Sequence, residues 1–92
     1  MVTLPLPVSL THEQAVPAVL ALKAGIGAQT GPDVVADAGA LEAFDSSALA
    51  VLLACRREAI AAGKTFSVRG LPPRLRQLAG LYGVEALLPA AS

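Results

Sequence analysis

The longest apolar run of the sequence, Ala48–Cys55, is the feature that most limits what this chain can fold into. The run spans eight residues, whereas a membrane-spanning helix needs about 20 consecutive apolar residues. It lies within a helical pattern that extends from Ser47 to about Ala62 and is closed by Gly63. A helix this apolar has to bury a broad face, so the rest of the chain must supply a layer that covers it.

The segments on either side of this helix alternate between strand and helix patterns. Short extended segments are predicted over Val2–Leu6 and Val34–Ala38, and alternating residues predict a strand over Thr65–Arg69. A first helix is predicted after Thr11, and a last one over Arg74–Tyr82 with its leucines facing inward. This order predicts an α/β fold, with about a four-stranded mixed sheet and three to four helices packed on it.

Local signals define the N-terminal part more closely. Pro5 and Pro7 confine the first strand to the edge of a sheet, because proline has no N–H to give to a ladder. Thr11 followed three residues later by Gln14 has the pattern of a capping box, which marks the start of the first helix. Gly25 and Gly27 suggest where that helix ends.

Composition excludes several classes of protein. The chain has 92 residues, of which 54% are hydrophobic and 15% charged, so it is not disordered and forms one domain over residues 1–92. Seven Lys/Arg balance seven Asp/Glu, and this neutrality argues against nucleic-acid binding. No signal peptide is visible, and a single cysteine, Cys55, excludes an internal disulfide. We therefore expect a cytoplasmic protein.

An enzyme has little support in the sequence. His12 is the only histidine, and nothing marks it as a catalytic base. No glycine-rich phosphate loop and no His/Cys cluster is present, so we expect no catalytic residue, no cofactor and no metal. The alternative is a metal site built from acids in the middle of the chain: Asp33, Asp37, Glu42 and Asp45.

The start of the long helix, Asp45-Ser46-Ser47, has two interpretations. Asp and Ser oxygens accept hydrogen bonds from the unpaired N–H groups of a first helical turn, so the segment is explained as a well-made helix cap. The same place also suits a phosphate or the polar group of a partner, because the positive end of the helix dipole lies beside the hydroxyl groups.

The two sides of the long helix differ. A broad apolar arc is predicted to face the core, with these members: Leu49, Val51, Leu52, Leu53, Cys55 and Ile60. The opposite side is flat and carries small or charged residues: Ser47, Ala50, Ala54, Arg57, Glu58 and Ala61. Helix propensity alone explains the alanines. The alternative is that this flat side allows another protein to approach closely.

Together these motifs resemble the STAS domain, a family that includes anti-sigma-factor antagonists and domains attached to anion transporters. The resemblance rests on the Asp45–Leu49 helix start after the Val34–Asp37 strand. Downstream, Leu71–Pro72, Leu78–Val84 and Leu87–Leu88 look like the MlaB-type branch. In that branch a single small STAS protein binds the cytoplasmic ATPase subunit of the Mla phospholipid transporter.

The resemblance implies roles for individual residues. Ser47 matches the serine that is phosphorylated in anti-sigma-factor antagonists, and Ser46 matches the hydroxyl residue at the ATPase contact of MlaB-type proteins. Asp37 and Asp45 match acids that end the strand and precede the serines. Ala48 departs from the family's usual glycine, and the usual N-terminal strand is shortened or absent here.

Two functions follow from the resemblance. The first is a non-catalytic subunit that stabilises the ATPase of an ABC-type transporter maintaining outer-membrane lipid asymmetry. Such a subunit lies at the inner membrane only through its complex with the ATPase and the permease. Its partner-binding residues are these: Asp45, Ser46, Ser47, Ala50, Ala54 and Arg57. The second function is an anti-anti-sigma factor, whose partner is an anti-sigma-factor kinase that phosphorylates Ser47.

Overall fold

The computed structural model describes residues 2–28 and 30–91, without the side chain of Val2. Five strands and three α-helices alternate along the chain, which confirms the predicted α/β class. The strands are β1 (Val2–Pro5), β2 (Ser9–Leu10), β3 (Asp33–Asp37), β4 (Ala43–Phe44) and β5 (Thr65–Arg69). The helices are α1 (Ala15–Ala28), α2 (Ser47–Ala61) and α3 (Pro73–Leu81), with short 3-10 helices at His12–Gln14 and Glu85–Leu87.

The described strands form two parallel sheets. β1, β3 and β5 make a three-stranded sheet in that spatial order, and β2 pairs with β4 over two residues each. The expected mixed sheet of about four strands is therefore wrong in its strand directions. Each connection within the larger sheet contains a helix, and such a crossover returns the chain in the same direction. The β2–β4 pair was missed because two residues are too few to show an alternating pattern.

Strand β1 lies at an edge of the larger sheet, as its prolines predict. The N–H of Leu6, just after β1, donates to the carbonyl of Asp37 at 2.8 Å. Because backbone groups alternate sides along an extended segment, Pro5 faces away from β3, toward the open edge. Proline has no N–H, so the open edge lacks a donor at this position.

The core is packed with small aliphatic side chains between the sheet and the helices. From the sheet it receives Val34, Ala36, Phe66 and Val68. Helix α2 contributes most, with these buried residues: Ala48, Leu49, Val51, Leu52, Cys55 and Ala59. Ile60 was expected in this set but is 50% exposed. Ile60 lies at the margin of the apolar arc, whose centre is occupied by Ala48 and Ala59. Its side chain is therefore left partly exposed to solvent.

Glycines end the second and third helices where the sequence predicts. Gly63 and Gly83 have φ of +74° and +72°, a left-handed conformation that glycine adopts without strain. The capping box at the first helix is also present, since Oε1 of Gln14 accepts from the N–H and the hydroxyl of Thr11, at 2.9 and 2.6 Å. Among the described helices, none has the length and hydropathy needed to cross a membrane.

Candidate partner-binding site

Asp45 caps the start of α2 and fastens it to the start of the first helical segment. Its carboxylate accepts the N–H of Ser47 at 2.8 Å and the N–H of His12 at 3.1 Å. The hydrogen bond from Ser47 holds the pKa of Asp45 below its ordinary value of 3.8, and the His12 N–H and the Ser47 side chain act in the same direction. Both carboxylate oxygens therefore already have partners within the chain.

The two serines beside Asp45 differ in their surroundings. Ser46 is exposed, has a helical backbone with φ −61° and ψ −18°, and, within residues 2–28 and 30–91, its side chain makes no capping hydrogen bond. Ser47 is half-buried, and its backbone N–H donates to the Asp45 carboxylate. The capping interpretation thus accounts for Asp45, and Ser46 is the hydroxyl group that faces solvent.

The remaining predicted site residues continue from Ser46 along the outside of α2. Ser46, Ala50, Ala54 and Arg57 are spaced by four, four and three residues, so they form one row on the helix surface. We call these four residues the α2 row. Ala50 and Arg57 are exposed, and Ala54 is half-buried. Four of the six predicted site residues therefore share the side of α2 that faces away from the core, whereas Asp45 serves as the helix cap and Ser47 is half-buried beside it.

A groove beside the α2 row escaped the sequence analysis. It lies between the start of α2 and helix α3, has a volume of about 460 Å³, and is lined by Phe44, Asp45, Ser46, Arg74, Gln77, Leu78, Leu81 and Tyr82. The Arg74 guanidinium carbon stands 6.0 Å from the centre of the Phe44 ring, a distance at which a cation and an aromatic face attract each other.

Leu81 explains why the groove was missed. The leucines of α3 were expected to face inward, and Leu75 is indeed fully buried, but Leu81 is 82% exposed. Leu75, Leu78 and Leu81 are three residues apart, and two such steps at 100° per residue move a side chain about 120° around the helix. Ala79, which is four residues after Leu75, stays on the buried face of α3.

The acids considered as metal ligands are dispersed. Asp33 accepts the hydroxyl of Thr65 at 2.6 Å, and Asp37 accepts the N–H of Gly39 at 2.9 Å. Asp45 is held at the start of α2 as described. In the part of the chain that the structure describes, no three His, Cys, Asp or Glu side chains lie together as a metal site requires.

The fold is shared with several solved structures at low sequence identity. The anti-sigma factor antagonist SpoIIAA in its unphosphorylated form is 16% identical with a TM-score of 0.73, over 99% of this chain and 81% of that one. An anti-sigma-factor antagonist (STAS) domain protein from Planctomyces limnophilus is 14% identical with a TM-score of 0.78, over 98% and 82%. A sulfate transporter family protein from Wolinella succinogenes is 16% identical with a TM-score of 0.71, over 94% and 70%.

The sequence itself gives a more specific result. No curated protein matches the chain significantly. A family model described as "Mlab, STAS domain" matches residues 3–89, which is nearly the whole chain. On this match and on the shared fold, the chain belongs to the Mlab branch of the STAS-domain family.

Proposed function

We propose that this chain is a non-catalytic subunit that binds the ATPase of an ABC-type phospholipid transporter through the α2 row. STAS domains are regulatory or interaction domains. Membership of the Mlab family favours a transporter partner, and one solved relative is described as a sulfate transporter family protein. The observation that carries the proposal is the α2 row, in which an exposed serine is followed by small side chains.

The chemistry of the row suits a protein partner. Ala50 and Ala54 let a partner helix or loop come close, because neither projects beyond its Cβ. The Ser46 hydroxyl donates or accepts a hydrogen bond and so fixes the register of the contact, and Arg57 at the other end offers a charge for a carboxylate. Burial of this surface in the complex stabilises the ATPase by mass action. In this proposal the chain lies in the cytoplasm and reaches the inner membrane and the permease only through the ATPase.

A substitution of Ser46 tests the proposal. In a tagged chain, Ser46→Arg places a long charged side chain at the end of the row, and we expect it to abolish co-purification of an ABC ATPase from cell extract. Thr3→Arg is the matched control, because Thr3 is exposed on β1, on the sheet face that alternation turns away from the core. Capture of the ATPase by Ser46→Arg at the level of the control would sink the assignment of this site.

The alternative function is a phosphorylation switch at Ser47, which the fold of SpoIIAA favours. A phosphate there adds about −1.5 to −2 charges beside the Asp45 carboxylate. The helix dipole tolerates this charge locally, but repulsion and desolvation would exclude a partner docked on the row.

Intact-mass measurement of the chain isolated from cells tests the switch. The switch requires an added phosphate that is lost in Ser47→Ala and retained in Ser46→Ala. A chain that never carries phosphate, with or without a partner kinase and ATP, rules this alternative out.

A further inference from the structure

Helix α1 is apolar on its outer side as well as on its inner side. Over residues 13–28 the only charged residues are Glu13 and Lys23. Leu22 and Ile26 are buried in the core, whereas Val16 and Leu20 are 69% and 64% exposed. A helix that is apolar all round is normally covered all round. Within the described chain, nothing covers the outer side of α1.

The exposed residues of α1 follow a symmetric pattern. Glu13, Val16, Leu20 and Lys23 are spaced by three, four and three residues, so they lie on one stripe of the helical segment. We call these four residues the α1 stripe. The midpoint of the stripe lies at the level of Ala18. Toward the N-terminus the stripe has Val16 and then Glu13, and toward the C-terminus it has Leu20 and then Lys23. The two charges are opposite, and each lies five residues from the midpoint.

We propose that the α1 stripe binds the same stripe of a second copy of this chain, with the two helices antiparallel about a two-fold axis that crosses the stripe at the level of Ala18 along the helix. In that arrangement Val16 lies level with Leu20 of the other copy, and Glu13 lies level with its Lys23. The exposed neighbours Pro17, Ala21 and Ala24 project little, so the two helices can approach closely. The interface is thus isologous, with each contact made twice.

The position of Lys23 fits this arrangement. Its Nζ lies 3.9 Å from Oε2 of Glu58, and about half of each of the two side chains is exposed, at 46% and 42%. This long surface contact leaves the ammonium group accessible to a carboxylate from another molecule. In the dimer Lys23 would therefore have an acid on both sides.

The charge pattern favours a second copy over a lipid surface. Helices that lie on membranes carry several Lys or Arg on their polar side, and residues 13–28 contain only Lys23, balanced by Glu13. A dimer built by adding strands at β1 is also disfavoured, since Pro5 removes a donor from the open edge.

Analytical ultracentrifugation of the full chain, at concentrations up to about 1 mM, tests the dimer. We expect a concentration-dependent dimer for the unchanged chain. Leu20→Glu should weaken it at least about tenfold, since it places a carboxylate in the apolar centre. Leu81→Glu is the control, because Leu81 is also largely exposed, at 82% against 64% for Leu20, but lies on α3. A chain that stays monomeric, or a dimer weakened by Leu81→Glu and not by Leu20→Glu, overturns the proposal.

Charge reversal tests the antiparallel arrangement itself. Glu13→Lys opposes two lysines at each end of the dimer, and Lys23→Glu opposes two glutamates, so each variant alone should be mostly monomeric. An equal mixture of the two should form a heterodimer, because both end contacts then pair Lys with Glu. Failure of the mixture to associate overturns the antiparallel register, even where the unchanged chain dimerises.

The dimer and the ATPase contact are separable in these experiments. Ser46→Arg should leave the dimer intact, since Ser46 lies on α2 and outside the α1 stripe. If Leu20→Glu releases a captured ATPase while the unchanged chain is monomeric, then the α1 stripe is a contact for another protein and the proposed dimer is wrong.

Discussion

Helices α1 and α2 pack against each other, yet their exposed sides are built from different side chains. The outside of α2 carries a serine, two alanines and an arginine in the α2 row. The outside of α1 carries valine and leucine between opposite charges. Their buried sides also differ. Helix α2 buries six residues, whereas α1 buries only Leu22 and Ile26 among the residues described.

The two helices therefore contribute unequally to the core, and their exposed sides suit different kinds of contact. Helix α2 contributes more of the core than any other element and leaves a shallow surface with polar ends, which suits a contact set by shape and a few hydrogen bonds. Helix α1 contributes less to the core and leaves large apolar side chains outside, which suits a contact driven by burial of apolar surface. One small domain thus offers two surfaces of different chemistry.

The largest expected effect contrasts a leucine inside α2 with a leucine outside α1. Leu52 is fully buried, so Leu52→Ala should lower the free energy of unfolding by about 2–5 kcal/mol. Leu20→Ala should change it by no more than about 0.5 kcal/mol, because the side chain is largely exposed. Urea titrations followed by circular dichroism measure both values, at a concentration at which the proposed dimer is dissociated. Similar losses for the two variants would show that α1 is covered within the chain.

A smaller effect compares the buried side of α2 with the exposed side of α1 by the reactivity of a thiol on each. Burial raises the pKa of the Cys55 thiol on α2 to about 11, and nearby Glu58 adds to the shift. At a concentration at which the proposed dimer is dissociated, iodoacetamide at pH 8 should therefore modify native Cys55 about two orders of magnitude more slowly than a cysteine introduced by Ala24→Cys on the exposed side of α1.

The Ala24→Cys variant contains both cysteines, so mass spectrometry measures the alkylation rates of Cys55 and of the introduced cysteine in one reaction. In urea the two rates should converge as the fold opens. Equal rates in the native chain would mean that α2 separates from the sheet readily, which contradicts its role as the main core helix.

The smallest expected effect concerns the Asp45 carboxylate, which joins the starts of the two helical segments. Its pKa is lowered in the folded chain, so its charge stabilises the fold above the ordinary pKa of 3.8, and this contribution is lost as the pH falls through the lower, folded value. The carboxylate is exposed, so the effect is small.

Asp45→Asn removes the charge and leaves one acceptor oxygen, as a protonated carboxyl group does, so only one of the Ser47 and His12 N–H groups keeps its acceptor. We expect its urea midpoint to lie below that of the unchanged chain at pH 7 and to match it near pH 2. Asp45→Ala removes the acceptor and should lie lower at both. If Asp45→Asn has the same pH dependence as the unchanged chain, the charge contributes nothing to the cap.

Helix α2, strand β5 and helix α3 were predictable to within about one residue at each boundary. In each case apolar periodicity and a following turn agreed, as with Gly63 after α2. The end of α1 was harder to predict, because Gly25 and Gly27 lie inside the helix, and among the described residues only Gly63, Gly70 and Gly83 have positive φ. A glycine predicts a helix end only where the chain actually turns into that conformation.

The site was partly predictable for a similar reason. The α2 row follows from helical spacing once the helix is known, so its members could be named from the sequence. The hydrogen bond from His12 to Asp45 joins residues 33 positions apart, and the groove beside Leu81 depends on how α3 lies against the start of α2. Neither contact leaves a local pattern in the sequence.

The proline at the open edge of β1 bears on how a chain with 54% hydrophobic residues avoids aggregation. An exposed strand that can donate and accept at every outward position is a template for intermolecular β-sheet growth, which ends in fibrils. Strand β1 is only four residues long, and Pro5 removes a hydrogen-bond donor from its open edge. A neighbouring copy therefore finds few backbone groups with which to pair a strand. Strand addition at β1 is thereby disfavoured, and contacts through side-chain surfaces, where the sequence sets the choice of partner, gain in importance.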